Sequence, residues 1–191
     1  MAETPSTMLP LGTALPALRL VDAASGRTVD AAAEAKGKKG LVVAFICNHC
    51  PYVIHIRAGL VRVAHRALDQ GLAVIAVNSN DEVEYPQDGP DAMRRLAREE
   101  GWRFPFAFDA TQEVAKAFHA ACTPDLFVFE AKGLLAYRGQ FDDSRPSNGK
   151  PVTGADLSAA IDAVAAGRAP PREQRASIGC NIKWKRGDGR S

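Results

Sequence analysis

Two thiols stand three positions apart in the run Cys47-Asn48-His49-Cys50, and Pro51 follows directly. The Cys-x-x-Cys spacing lets one turn of helix bring both sulfurs within bonding range, which suits reversible dithiol–disulfide chemistry. The attacking species in that chemistry is the thiolate. A cysteine at the amino end of a helix gains stability as an anion from unsatisfied N–H groups and the positive end of the macrodipole. On this reading Cys47, at or just before a helix start, is the nucleophile. Cys50, one turn in, resolves the mixed disulfide. His49 offers an imidazole that favours the reduced dithiol and makes the disulfide more oxidising. The other histidines, His55, His65 and His119, fall in stretches read as helices and are taken as surface or packing residues.

A Cys-x-x-Cys pair is also half of a zinc site. A tetrahedral site needs four ligands, usually completed by a second knuckle or by paired histidines. Here Cys122 and Cys180 are isolated and no second Cys-x-x-Cys exists. The spacing therefore favours redox chemistry, and neither a metal nor an organic cofactor is expected. A non-catalytic metal- or cluster-binding module using Cys47, Cys50 and Cys122 stays open as an alternative.

Positioning the pair requires a strand before it and a helix after it, and the flanking sequence offers both. Leu41–Ile46 is a continuous apolar run without alternation, as in a central strand covered on both faces. From Pro51 to Gln70 the residues Val53, Ile56, Leu60, Val63, Ala64 and Leu68 recur at helical steps, and Gly71 closes the stretch. Leu72–Val77 reads as a second buried strand, and 78–90 as a polar surface loop. Asp91 is a candidate cap for a helix through Glu100. Phe104–Phe108 reads as a strand and Thr111–Ala121 as a helix. Leu126–Glu130 and Leu134–Arg138 form a hairpin around Ala131-Lys132-Gly133. Thr153–Ala166 is a helix capped by Thr153 or Asp156. Residues 1–16 read as an irregular arm, followed by a small hairpin around Ser25-Gly26. Alternating strands and helices of this kind predict an α/β fold with a central mixed sheet flanked by helices.

The chain has 191 residues, of which 46% are hydrophobic and 24% charged, the profile of one ordinary globular domain. No apolar stretch approaches the roughly 20 residues of a membrane-spanning helix. Met1–Leu20 lacks the charged and apolar blocks of a signal peptide, which points to the cytoplasm. Reduced thiols rather than structural disulfides are expected there. Residues 168–191 carry seven basic side chains against Glu173 and Asp188, a surplus of five that leaves the rest of the chain near −3. We expect a domain over 1–168 and a basic tail over 169–191. The tail is read as solvated, because Trp184 is its one aromatic residue, too few for stacking bases. Neither nucleic acid nor membrane is an expected partner, and oligomeric state is not legible.

Several stretches resemble the thioredoxin-like superfamily, and more closely its peroxiredoxin-like branch (AhpC/TSA-like). They are Phe45 to Val53, Val77 to Pro90, Cys122-Thr123-Pro124-Asp125, Tyr137 to Asp143, and Gly179 to Lys185. The resemblance implies a thioredoxin fold with an N-terminal β-hairpin extension and a C-terminal tail. It implies a thiol-disulfide oxidoreductase in which Cys47 attacks and Cys50 resolves, acting on disulfide-bearing proteins or small thiols. It also matches Thr123-Pro124 to the cis-proline turn that faces the cysteine pair. A turn of that kind exposes the Thr123 backbone for pairing with an extended substrate, and Gly139 would permit a close backbone approach. Two features of the thioredoxin pattern are missing. Ile46 stands where thioredoxins carry tryptophan, and the strand before the pair has no buried acid. A thiol peroxidase, an antioxidant activity, is the alternative. If Cys50 took the peroxidatic place, Val43 and Cys47 would stand where peroxiredoxins require proline and threonine. Cys122 and Cys180 are candidate accessory thiols. Cys122 is read equally as a buried apolar side chain, and Cys180 as an extra resolving thiol or a packing residue of a docked tail. Arg138 and Asp142 are a candidate ion pair.

Overall fold

The apolar run before the cysteine pair is covered on both faces. Val42 and Ala44 pack in one core layer with Val53, Leu60, Leu157 and Ile161, while Leu41, Val43 and Phe45 pack in the other with Phe118 and Phe127. Two-sided burial removes the need for alternation. In the second layer Phe118 packs edge-on against Phe45 with ring centroids 5.3 Å apart, and Phe127 does the same at 5.8 Å.

The computed structural model describes residues 3–186. The elements in chain order are β1 (Glu3–Pro5), β2 (Arg19–Asp22), β3 (Thr28–Asp30), α1 (Ala31–Ala35), β4 (Gly40–Phe45), α2 (Pro51–Asp69), β5 (Ala73–Asn78), α3 (Pro90–Glu99), β6 (Phe106–Phe108), α4 (Glu113–Ala117), β7 (Cys122–Thr123), β8 (Asp125–Glu130), β9 (Leu135–Gly139), α5 (Ala155–Ala165) and β10 (Ile178–Asn181). The main sheet runs β3-β2-β6-β5-β4-β8-β9. Its β4–β5 and β5–β6 pairs are parallel and the others antiparallel, so the sheet is mixed as expected. Helices α2, α3 and α5 supply the first core layer, and α1 and α4 the second.

The hairpins β2–β3 and β8–β9 form where the turn residues predict them. Other expectations are corrected. Helix α3 is capped by Gly89, and Asp91 sits inside its first turn, paired with Arg94 at 3.0 Å. Helix α5 starts from Gly154 in a left-handed conformation with no side-chain cap. Asp142 instead accepts the N–H groups of Thr153 and Gly154, each at 2.6 Å, and so fixes the chain entering that helix. It makes no pair with Arg138, whose guanidinium binds Gln174 at 2.8 Å. Helix α4 ends at Ala117, and His119, expected in a helix, has φ +52° beyond that end.

The largest correction concerns the two termini. Residues 3–5, read as irregular arm, form β1. Residues 178–181, inside the stretch read as a solvated tail, form β10. A small second sheet runs β1-β10-β7, pairing Glu3 with Cys180 and Cys180 with Thr123. Residues 178–181, backed by residues 3–5, thus close over the cis-proline turn. Arg190, the one remaining basic residue of the tail, lies outside the described residues.

Candidate functional site

The Cys-x-x-Cys loop leaves the end of β4, where the Ile46 N–H donates to the Val77 carbonyl at 2.9 Å. Helix α2 then begins at Pro51, with Cys50 as its N-cap. Proline suits the first helical position, since its missing N–H would have no partner there. Cys47 therefore lies three residues before that cap, outside the helix, and Cys50 occupies the end that favours an anion. Cys47 and Cys50 are 1% and 0% exposed.

The loop between the two thiols is held by Asp88, which is fully buried. Its Oδ1 accepts the N–H groups of Asn48 at 2.8 Å and His49 at 3.3 Å. Its Oδ2 accepts Asn80 Nδ2 at 2.8 Å and lies 2.5 Å from His49 Nδ1. The imidazole stacks on Tyr85, with ring centroids 5.2 Å apart and 6° between planes. His49 is thus clamped beside the pair. Asp88 belongs to the stretch 78–90 that composition marks as a surface loop. In fact Asn78, Ser79, Asn80 and Asp81 are buried with it. Asp88 stands 39 residues beyond His49 and carries no local signal of this role.

Across the pair lies the Thr123–Pro124 turn, whose peptide bond is cis. Cys50 Sγ lies 3.1 Å from the Thr123 carbonyl oxygen and Cys47 Sγ 3.5 Å from the Thr123 hydroxyl. The side chains of Cys47 and Cys50 are in hydrogen-bond contact, and Cys50 also contacts Cys180. These surroundings treat the two sulfurs differently. At Cys50 the S–H of Cys47 is the largest influence, and it favours the thiolate. Burial opposes it, while Thr123, Cys180 and the Val53 N–H in the first turn of α2 add to it, so the acidity of Cys50 is raised. The nearby Thr123 carbonyl works against the anion, but the donors outnumber it. At Cys47 the contact with Cys50, burial and the charge of Asp88 push the pKa well above that of a free thiol. The Asp88 charge acts on Cys47 however the shared proton is divided between the two thiols.

Cys122 is buried with its S–H directed to the Pro124 carbonyl at 3.5 Å, and burial, followed by the charge of Asp125, pushes its pKa up. Gly139 lies against the chain's own tail. Gln140 N–H donates to the Arg175 carbonyl at 2.9 Å, and Ser177 Oγ donates to the Gly139 carbonyl at 2.5 Å. The edge of Thr123, expected to receive an extended substrate, is occupied by β10.

Among the described residues, Cys47, His49 and Asp88 are the group close enough to share an ion, with ligand atoms within 4.8 Å of one another. This is not the Cys47, Cys50 and Cys122 set raised from spacing. Both Asp88 oxygens are already engaged by two donors each. That arrangement fits a loop staple better than a metal ligand.

The Redoxin family model matches residues 10–157, and the chain belongs to that family. An uncharacterised conserved protein from Geobacillus kaustophilus is 47% identical, with 97% of each chain covered and a TM-score of 0.93. A hypothetical protein from Sinorhizobium meliloti 1021 is also 47% identical, covering 96% of this chain and 100% of its own, with a TM-score of 0.93. A thiol:disulfide interchange protein from Chlorobium tepidum TLS is 18% identical, covers 82% of this chain and 99% of its own, and has a TM-score of 0.62. No curated protein matches the sequence. Together these describe a Redoxin-family chain with the mixed sheet and flanking helices of the thioredoxin fold. Family membership supports a thioredoxin-like redox role and an oxidoreductase-type activity. No helix among the described residues is long and apolar enough to cross a membrane.

Proposed function

We propose that this protein is a thiol-disulfide oxidoreductase whose redox pair is Cys47 and Cys50. One observation carries the reading. The two side chains contact each other at the amino end of α2, and both touch Thr123. The thiolate at Cys50 attacks a substrate disulfide, one substrate sulfur leaves as a thiolate, and a mixed disulfide forms. Cys47 gives its proton to the departing thiolate and attacks Cys50 Sγ. The second substrate sulfur is expelled, a Cys47–Cys50 disulfide remains, and two electrons have passed to the substrate. This reverses the roles read from the sequence, because the helix starts at Pro51 and Asp88 disfavours an anion at Cys47. His49 positions the loop and tunes the couple. The substrates are disulfide-bearing proteins or small disulfides, and the reducing cytoplasm is the setting. No organic cofactor takes part.

Trapping decides the roles. With Cys180 also replaced by serine, Cys47→Ser should accumulate mixed disulfides on Cys50, whereas Cys50→Ser should not. Trapping by Cys50→Ser alone would return the attack to Cys47. The reading fails outright if neither variant slows insulin-type disulfide reduction.

A second reading, thiol peroxidase, has one observation in its favour. Both sulfurs are covered, so a small oxidant reaches them with less rearrangement than a protein disulfide. Stopped-flow hydrogen peroxide consumption no faster than that of free cysteine would eliminate it.

A further inference from the structure

The residues around Cys50 include a third thiol that the pair mechanism does not use. Strand β10 runs antiparallel to β7 with Cys180 directly opposite Thr123. Directly opposed residues in an antiparallel pair project to the same face. Thr123 turns its hydroxyl to Cys47, and Cys180 accordingly contacts Cys50. Neighbouring residues in a strand face opposite ways, so Cys122 projects away, to the Pro124 carbonyl. Of the two accessory thiols, Cys180 is the one presented to the pair.

The strand that carries it is anchored at both ends. Ser6 N–H donates to the Ser177 carbonyl at 2.8 Å and Ile182 N–H to the Ala121 carbonyl at 3.1 Å. Beyond it Lys183 N–H binds Asn80 Oδ1 at 2.9 Å, and Lys185 N–H binds Gln112 Oε1 at 2.8 Å. Its approach to the turn is so close that a Cβ at Gly179 would overlap the Thr123 carbonyl. β10 therefore occupies the edge where an added peptide strand would pair, and it brings a cysteine with it.

We propose that Cys180 is a third redox thiol, held by the chain's own strand in the place of a substrate sulfur, and that it exchanges with Cys50. The proposal rests on the Cys47–Cys50 couple proposed above. In the step, Cys180 loses its proton and attacks Cys50 Sγ of the Cys47–Cys50 disulfide. The Cys50–Cys180 bond forms and the Cys47–Cys50 bond breaks. Cys47 leaves as a thiolate and takes up the proton that Cys180 gave. No oxidant is consumed, because one disulfide replaces another. In the second isomer β10 is stapled over Thr123 and Cys47 is returned as a thiol.

The test uses the full chain, oxidised with one equivalent of diamide, quenched with N-ethylmaleimide at low pH, digested and mapped by mass spectrometry. Cys47→Ser retains Cys50, Cys122 and Cys180. It should form an intramolecular Cys50–Cys180 link and leave Cys122 alkylated. Three alkylated thiols, or a link from Cys50 to Cys122, would overturn the proposal. Gly179→Ala guards against an effect of the Cys47 substitution itself. In an otherwise wild-type chain it should lower the yield of Cys50–Cys180 link about tenfold, the usual consequence of overpacking a close contact, with the Cys47–Cys50 link still formed. An undiminished Cys50–Cys180 yield in Gly179→Ala would show that the docked strand does not present the thiol. Wild-type protein that never yields a Cys47–Cys50 link while Cys47→Ser yields Cys50–Cys180 would overturn the pair reading alone.

Discussion

Replacing Asp125 with asparagine should make the protein more stable at alkaline pH than at acid pH, relative to wild type. Asp125 follows the cis-proline, faces Phe45 across the β4–β8 ladder and is fully buried. Its Oδ2 accepts the Ala121 N–H at a long 3.4 Å, and its Oδ1 has no partner. Burial pushes its pKa up to about 7, only partly offset by hydrogen bonds from Ser6, Ala121 and Leu126. The ordinary value is 3.8. A raised carboxyl pKa means that the folded state holds a proton the unfolded chain has released. Stability from this group is fully present below 3.8 and is lost as pH rises through about 7. At about 1.4 kcal/mol per pH unit, the full loss is roughly 4 kcal/mol, of which roughly 2.5 kcal/mol falls between pH 5 and pH 8.

Asparagine cannot ionise, so Asp125→Asn removes this loss while sharing every other titration with wild type. Urea unfolding of both reduced proteins at pH 5 and pH 8 reads the gap directly. The variant should gain roughly 2.5 kcal/mol on wild type over that interval. A gap unchanged to within about 0.5 kcal/mol, inside the error of such extrapolations, would mean that Asp125 is ionised throughout and that its burial is not costly.

Other perturbations test the site and the core. Asp88→Asn removes the negative charge beside Cys47, so the pH midpoint for alkylation of Cys47, mapped by mass spectrometry, should fall. An unmoved midpoint would show that this charge does not reach the sulfur. Gly40→Ala would place a Cβ 2.5 Å from the Phe129 carbonyl and 2.7 Å from Val164 Cγ1. It should cost about 1–3 kcal/mol in urea unfolding, and a neutral result would show that β4 and β8 can part at that point. Phe118→Ala empties a fully buried site in contact with Phe45, Phe127 and Phe129. The expected loss is about 3–5 kcal/mol, and less than about 1 kcal/mol would contradict a tightly packed second layer.

What the sequence revealed follows the range of the forces involved. β4, α2 and the β8–β9 hairpin are legible because periodicity, a proline start and turn residues act over a few positions. β1 and β10 are three and four residues long and form through pairings between segments far apart in sequence, Glu3–Pro5 with residues near Cys180 and those in turn with Cys122–Thr123. No local pattern announces such strands. Asp88 is invisible for the same reason. Its role is to satisfy N–H groups of a loop far away in sequence, and composition assigns its stretch to the surface. The uneven charge also has an explanation that only the fold supplies. Lys185 and Arg186 of the basic tail lie against Glu82 at 2.9 Å and Glu84 at 3.1 Å. Exposed pairs of this kind contribute little each, and the backbone bonds of Lys183 and Lys185 hold the segment more firmly.

Proline favours the first helical position itself, not merely the first turn. Pro51 therefore makes Cys50 the N-cap, and an anion-favouring helix end belongs to Cys50 rather than Cys47. The remaining contacts act in the same direction. Asp88, needed to close the loop, places its charge on the Cys47 side, while β10 brings the Cys180 thiol to the Cys50 side. The asymmetry of the pair thus follows from where the helix starts and from which segments cover each sulfur. Segments that bury both thiols this completely also shape the surroundings of each sulfur, so the same tail that restricts access to the site takes part in its electrostatics.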